Sequence, residues 1–139
     1  MDIVFTKLID AKVDLKGIIL KPNMVIAGIN ALDQATEIEV AEQTLKCLKE
    51  HMPDSVPGVC FLSGGQNDVD ATKHLSIMNK MKETDIKLSF SYGRALQQSA
   101  LITWGGKDEN MLEAQQAFEH RAQMNSLAAK GEWSENLEK

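Results

Sequence analysis

Three short stretches of this chain set reactive or ligand-binding residue types where an apolar run gives way to a turn: Lys21-Pro22-Asn23, Ser63-Gly64-Gly65 and Ser91-Tyr92-Gly93-Arg94. A lysine that closes an apolar segment, partly withdrawn from water and close to another cation such as Arg94, can serve as an amine nucleophile towards a carbonyl. The plainer alternative is a lysine whose stem follows the apolar segment while its ammonium reaches solvent. Gly64, Gly65 and Gly93 let backbone N–H groups approach a ligand closely. Each precedes an expected helix start, where phosphate oxygens find donors and a favourable dipole. Arg94 adds a planar fork for the same anion. Taken singly, Gly-Gly and Tyr-Gly are ordinary tight turns; two such turns beside an arginine point to a phosphate site.

These residues need elements to position them. Gly17-Ile18-Ile19-Leu20 and Val59-Cys60-Phe61-Leu62 are short apolar runs of the kind that form buried parallel strands. Ile86, Leu88 and Phe90 alternate with polar residues and predict a third strand. Between them, Thr36 and Glu39 have capping-box spacing ahead of Val40, Thr44, Leu45 and Leu48, which predicts a helix to about His51. Asn67 caps a second helix, with Asp68 and Asp70 in its first turn and Val69, Leu75 and Met78 on its inner face. A third runs from Arg94 towards Trp104 and a fourth over residues 108–130, with Gly131 as its C-terminal cap. Ile3, Val4, Leu8 and Ile9 read as helix at the start, and residues 132–139 as a loose polar tail. Strands alternating with helices predict an α/β fold with parallel strands. In such folds the C-terminal strand ends share one edge, where active sites form. Lysine, glycine turns and arginine converge there.

Composition narrows the function. The chain has 139 residues, enough for one domain, with 43% hydrophobic and 25% charged residues, ordinary for a globular protein. A net charge of −5 leaves no global positive field for a nucleic acid, so none is expected as a partner. No apolar run approaches the roughly 20 residues of a membrane span, and the first ten residues lack a signal-peptide pattern, so the expected location is cytoplasmic. Cys47 and Cys60 stand apart, outside any ligand spacing, and read as packing residues. His51, His74 and His120 lie on helices without partners at ligand spacing, and read as solvated or locally hydrogen-bonded. Trp104, Phe118 and Trp133 read as core or interface anchors.

The stretches from Leu20 to Val25, from Val56 to Gln66 and from Phe90 to Leu96 together resemble the C-terminal motifs of class I fructose-bisphosphate aldolases. The likeness continues through Trp104-Gly105-Gly106-Lys107 and over residues 121–131. It implies strands six to eight of a (β/α)8 barrel. It also implies a Schiff-base role for Lys21, and a ketose 1-phosphate site on Ser63, Gly64, Gly93 and Arg94, with Ser91 lining the same pocket. The family needs no metal or other cofactor, and its ligands are small sugar phosphates.

Departures from the family pattern shape the expectation. A (β/α)8 barrel takes about 250 residues. The family's upstream aspartate base, two further lysines and acid/base glutamate match no position here, and its C-terminal tyrosine is absent, since Tyr92 is the sole tyrosine. The chain therefore reads as a single-domain fragment, the C-terminal half of an aldolase barrel. Three roles stay open: an aldolase, a half-barrel that binds sugar phosphate without full turnover, and a piece that associates with itself or with a complementary barrel half through open sheet edges.

Overall fold

Thr36 starts the first long helix by a reciprocal exchange. Its hydroxyl accepts the Glu39 amide at 3.3 Å, and the Glu39 carboxylate accepts the Thr36 amide at 2.7 Å, as the capping-box spacing predicts. In the computed structural model, which describes residues 1–139, seven regular elements follow in chain order. They are α1 (Asp2–Asp10), α2 (Glu37–His51), β1 (Gly58–Phe61), α3 (Asp68–Met81), β2 (Lys87–Phe90), α4 (Arg94–Trp104) and α5 (Met111–Lys130).

β1 and β2 pair in parallel, Val59 opposite Leu88 and Phe61 opposite Phe90, with α3 as the connection between them. Val59, Phe61 and Leu88 point to one face, where Ala71, Leu75 and Met78 of α3 and Met124 and Ala128 of α5 cover them. Fully burying side chains such as Phe61 and Leu75 is worth about 1.5–3 kcal/mol each at most, so this face anchors the domain. Val40, Ala41 and Leu48 extend the same core along α2. A smaller cluster of Phe5, Leu15 and Val56 holds α1. No helix is long and apolar enough to cross a membrane.

The strand expected over residues 17–20 is not a regular strand. Asp14 accepts the Lys16 amide and winds Leu15–Gly17 into a 3-10 turn, leaving Leu20 as a single parallel bridge to Val59. The ladder is cut by chemistry. Leu20 donates to the Gly58 carbonyl at 3.1 Å and accepts from Cys60 at 2.8 Å, but Pro22 has no N–H and can only accept, from Leu62 at 3.0 Å. The segment still lies parallel beside β1, on the side away from β2.

Two further expectations need correction. The helix expected from residue 108 opens as the 3-10 turn Asp108–Asn110, and α5 begins at Met111; Gly131 closes it in the left-handed region at φ +74°, as a glycine cap should. Residues 132–139 are docked rather than loose. Buried Arg121 donates from Nη1 and Nη2 to both carboxylate oxygens of Glu138 at 2.9 and 2.6 Å, and the buried Trp133 indole donates to the same carboxylate at 2.8 Å. Burial pushes the Glu138 carboxyl up, but the hydrogen bonds from Arg121 and Trp133 outweigh it and hold the group below the usual carboxylate range. Trp133 is thus the core anchor expected, while Trp104 and Phe118 stay substantially exposed.

Candidate functional site

Side chains alternate along an extended backbone. Leu20 shares the covered face with Val59, so Lys21, one residue on, falls on the opposite face with Cys60 and Ser89. No helix covers that face: Lys21 is exposed, Cys60 and Ser89 are partly so, and Ile19, two residues before Lys21, is 57% exposed. The expected partial burial of Lys21 is therefore absent in this chain. Its ammonium enters no ion pair and no hydrogen bond.

The loop after Lys21 is fastened at both ends. Pro22 accepts from Leu62; three residues on, the Val25 amide donates to the buried Thr44 hydroxyl at 2.9 Å, and that hydroxyl donates to the Val40 carbonyl at 2.6 Å. Met24 between them is buried. Asn23 and Ile26 then lie against the turn that follows β1. A methyl group built on Gly64 would stand 3.0 Å from Leu62 Cδ1 and 3.7 Å from Asn23 Oδ1, and one on Gly65 only 2.7 Å from Ile26 Cδ1.

That turn runs over residues 63–66 and is closed by the Gln66 amide donating to the Ser63 carbonyl at 3.2 Å. Gly65 has φ +78°, which a side chain would strain as well as crowd. Ser63 is 9% exposed, Gly64 half-buried. Behind the turn, Gln66 Oε1 lies 2.7 Å from Nδ1 of the buried His74. Burial lowers the His74 pKa, against the pull of the Asp70 and Glu37 carboxylates. Glu37 itself accepts from Lys73 at 2.7 Å, a hydrogen bond that holds its carboxyl low and the Lys73 ammonium high.

The turn after β2 is held by its ends. The Ser91 amide donates to the Phe61 carbonyl at 2.8 Å, and the buried Tyr92 hydroxyl donates to the Ala71 carbonyl of α3 at 2.8 Å; burial drives the Tyr92 pKa well above its ordinary value. Ser91, Gly93 and Arg94 remain exposed. Gly93 is the N-cap of α4 and offers no side-chain acceptor, the first turn of α4 holds no acidic residue, and the Arg94 guanidinium is unpaired. All six predicted residues thus belong to the C-terminal edge of the parallel segments, Lys21 on the open face and the others in the turns after β1 and β2. Sequence reasoning passed over Asn23, Gln66, His74 and Tyr92 as parts of this frame. The usable signal was position, since Gln66 is the first side chain after Gly64-Gly65.

Of the two main cavities, only one adjoins the site. One of about 340 Å³ lies behind the glycine turn, against Ile26, Glu37, Gly65, Gln66, Asp70 and His74. The other, about 580 Å³, is lined by Leu48, Met52, Pro57, Lys82 and Ile86 among others. Pro57 and Ile86 precede their strands, so it sits at the opposite edge and holds none of the candidate residues.

Known proteins resemble the chain over almost its whole length. The family model for fructose-bisphosphate aldolase class I matches residues 1–139. Fructose-bisphosphate aldolase B of Sparus aurata is 49% identical over 131 residues, covering 94% of this chain and 36% of that protein. The chloroplastic fructose-bisphosphate aldolase 2 of Pisum sativum is 48% identical over 130 residues, 94% of this chain and 37% of that one. A solved fructose-bisphosphate aldolase from Plasmodium falciparum, in complex with TRAP and a small-molecule inhibitor, superposes with a TM-score of 0.92 at 42% identity, over 96% of this chain and 38% of its own. The chain therefore spans little more than a third of these relatives, matching their C-terminal part. It belongs to the class I fructose-bisphosphate aldolase family.

Proposed function

We propose that the chain supplies the Schiff-base lysine and a phosphate subsite of a class I fructose-bisphosphate aldolase, as strands six to eight of its (β/α)8 barrel. Lys21 is the nucleophile. Ser63, Gly64, Ser91, Gly93 and Arg94 hold the phosphate on the substrate's C1. The observation that carries this reading is the placement of Lys21 on the uncovered sheet face, at the same edge as both glycine turns. In that geometry the Lys21 amine adds to the C2 carbonyl of fructose 1,6-bisphosphate and water leaves, giving a protonated iminium. Breaking C3–C4 moves its bonding pair into the iminium as an enamine, while the C4 hydroxyl loses its proton and becomes the aldehyde. Glyceraldehyde 3-phosphate leaves, the enamine takes a proton at C3 to return to the iminium, and water hydrolyses that iminium to release dihydroxyacetone phosphate and the free Lys21 amine; every step runs in either direction. A cytoplasmic location, as expected from the sequence, belongs to the same proposal.

Proton transfers in that scheme need acid and base groups that match no position of this chain. Such groups contribute about 10² to 10⁴-fold each. The uncovered sheet face and exposed Ile3, Ile19, Leu101 and Ile102 favour a second reading for the polypeptide by itself: a half-barrel that binds sugar phosphate or associates, without complete catalysis. Borohydride reduction in the presence of dihydroxyacetone phosphate tests the common core of both readings. Intact-mass analysis should find one adduct, lost in Lys21→Ala; an adduct that persists in that variant removes Lys21 from the assignment.

A further inference from the structure

Gly64 and Gly65 give the turn its shape but no side chain with which to hold it, and glycine backbones lose the most freedom on ordering. An amide cradle recognises an anion well only if its N–H groups are fixed beforehand. The fastening must come from neighbours. Within residues 63–66 the one side-chain hydrogen bond is that between Gln66 and His74, 2.7 Å long and spanning eight residues from the turn into α3. Gln66 Oε1 can only accept, so His74 carries its proton on Nδ1 and donates it. Gln66 Nε2 is buried with no other partner, so this bond is the sole tether of the carboxamide. His74 is 7% exposed and lies on α3 between Lys73 and Leu75.

We propose that His74 and Gln66 form a positioning pair: the imidazole, seated in the core, grips the carboxamide and thereby fixes the glycine turn for phosphate. The proposal rests on the phosphate-subsite reading and deepens it. His74 touches no substrate. It acts through Gln66, and the neighbouring charged groups are Glu37 on α2 and Asp70 and Lys73 on α3. A bond at this position sets how far the Gly64 and Gly65 amides wander, so its loss should show in phosphate affinity and in amide exchange at the turn.

The test titrates the whole chain with dihydroxyacetone phosphate, inorganic phosphate and unphosphorylated dihydroxyacetone, followed by NMR. His74→Phe keeps ring volume but removes the donor, and Gln66→Ala removes the acceptor. Each should weaken both phosphate ligands about fivefold, the worth of one hydrogen bond, speed exchange of the Gly64 and Gly65 amides, and leave dihydroxyacetone unaffected. His74→Asn, which restores an N–H donor near Nδ1, should recover affinity to within about twofold. Arg94→Ala is the control for the underlying reading. If Arg94→Ala weakens phosphate binding while His74→Phe and Gln66→Ala do not, the positioning role is overturned and the phosphate site stands. If none of the three weakens it, both fall. A His74→Asn protein that behaves like His74→Phe assigns the effect to ring packing and also overturns the proposal. Should His74→Phe not fold, Gln66→Ala at its partly exposed position decides alone.

Discussion

The helices that follow the two strands begin in opposite ways. At α3, Asn67 Oδ1 accepts the Asp70 amide at 2.7 Å, Asn67 Nδ2 donates back to the Asp70 carboxylate, and two aspartates occupy the first turn. At α4, the N-cap is Gly93, no side chain caps the first amides, the first turn holds no acid, and the first residue is Arg94. α3 spends its dipole and its free donors on its own side chains; α4 leaves them for something else. A phosphate bound after β1 must therefore rely on the glycine turn rather than on the helix start. One bound after β2 meets the helix end and a guanidinium directly.

The largest effect is expected at Gly65. Gly65→Val forces a side chain into φ +78° and against Ile26, whose Cδ1 lies 2.7 Å from the new Cβ. The conformation costs about 1–3 kcal/mol, while the close contact falls on the far end of a side chain that can turn away. Chemical denaturation should show a loss within that range, and a fall below about 1 kcal/mol would mean that the turn is free to rearrange and is no preformed cradle.

Arg94→Ala ranks next and acts on binding instead. The guanidinium has no protein partner, so its loss should leave stability within about 0.5 kcal/mol. Affinity for phosphorylated ligands should fall by about 1.5–3 kcal/mol, the worth of a hydrogen bond to a charged group. Calorimetry with a dephosphorylated analogue supplies the reference. Equal losses for both ligands would make Arg94 a structural residue and move the phosphate elsewhere.

How much of this was legible depended on how far each signal reached along the chain. Thr36 with Glu39, Asn67 with Asp70 and the glycine at 131 act over two or three residues, and the helix ends they set fall where expected. The apolar runs at Val59 and Leu88 likewise became strands. Residues 17–20 failed because Asp14 and Pro22, both outside the run, decide its hydrogen bonding. The tail failed because its partner, Arg121, lies 17 residues from Glu138, beyond any local pattern. Site residues were found through the edge they share, but the exposure of Lys21 depends on what covers the open face, which no spacing in this chain encodes.

The smallest expected effects separate the two helix starts most cleanly. Asn67→Ala removes a cap that α3 uses, and should cost about 1 kcal/mol of stability with phosphate affinity unchanged, because the Asp70 amide it frees lies in a start already lined by Asp68 and Asp70. Gly93→Ala adds a methyl group that meets nothing within 4 Å, at φ −92° and ψ −83°. Alanine is a poorer N-cap than glycine, so stability should fall by up to about 1 kcal/mol. That methyl group nevertheless projects from the residue whose backbone opens α4, so a phosphate seated there would have to move outwards, lengthening its contacts with the helix amides. The two variants are thus expected to part in affinity rather than in stability: affinity kept at residue 67 and lowered at residue 93, for stability losses of similar size. Thermal melts and phosphate titrations on the same samples would reveal this. A Gly93→Ala protein that binds phosphate as tightly as the parent would place the anion away from the start of α4, whatever Arg94 does.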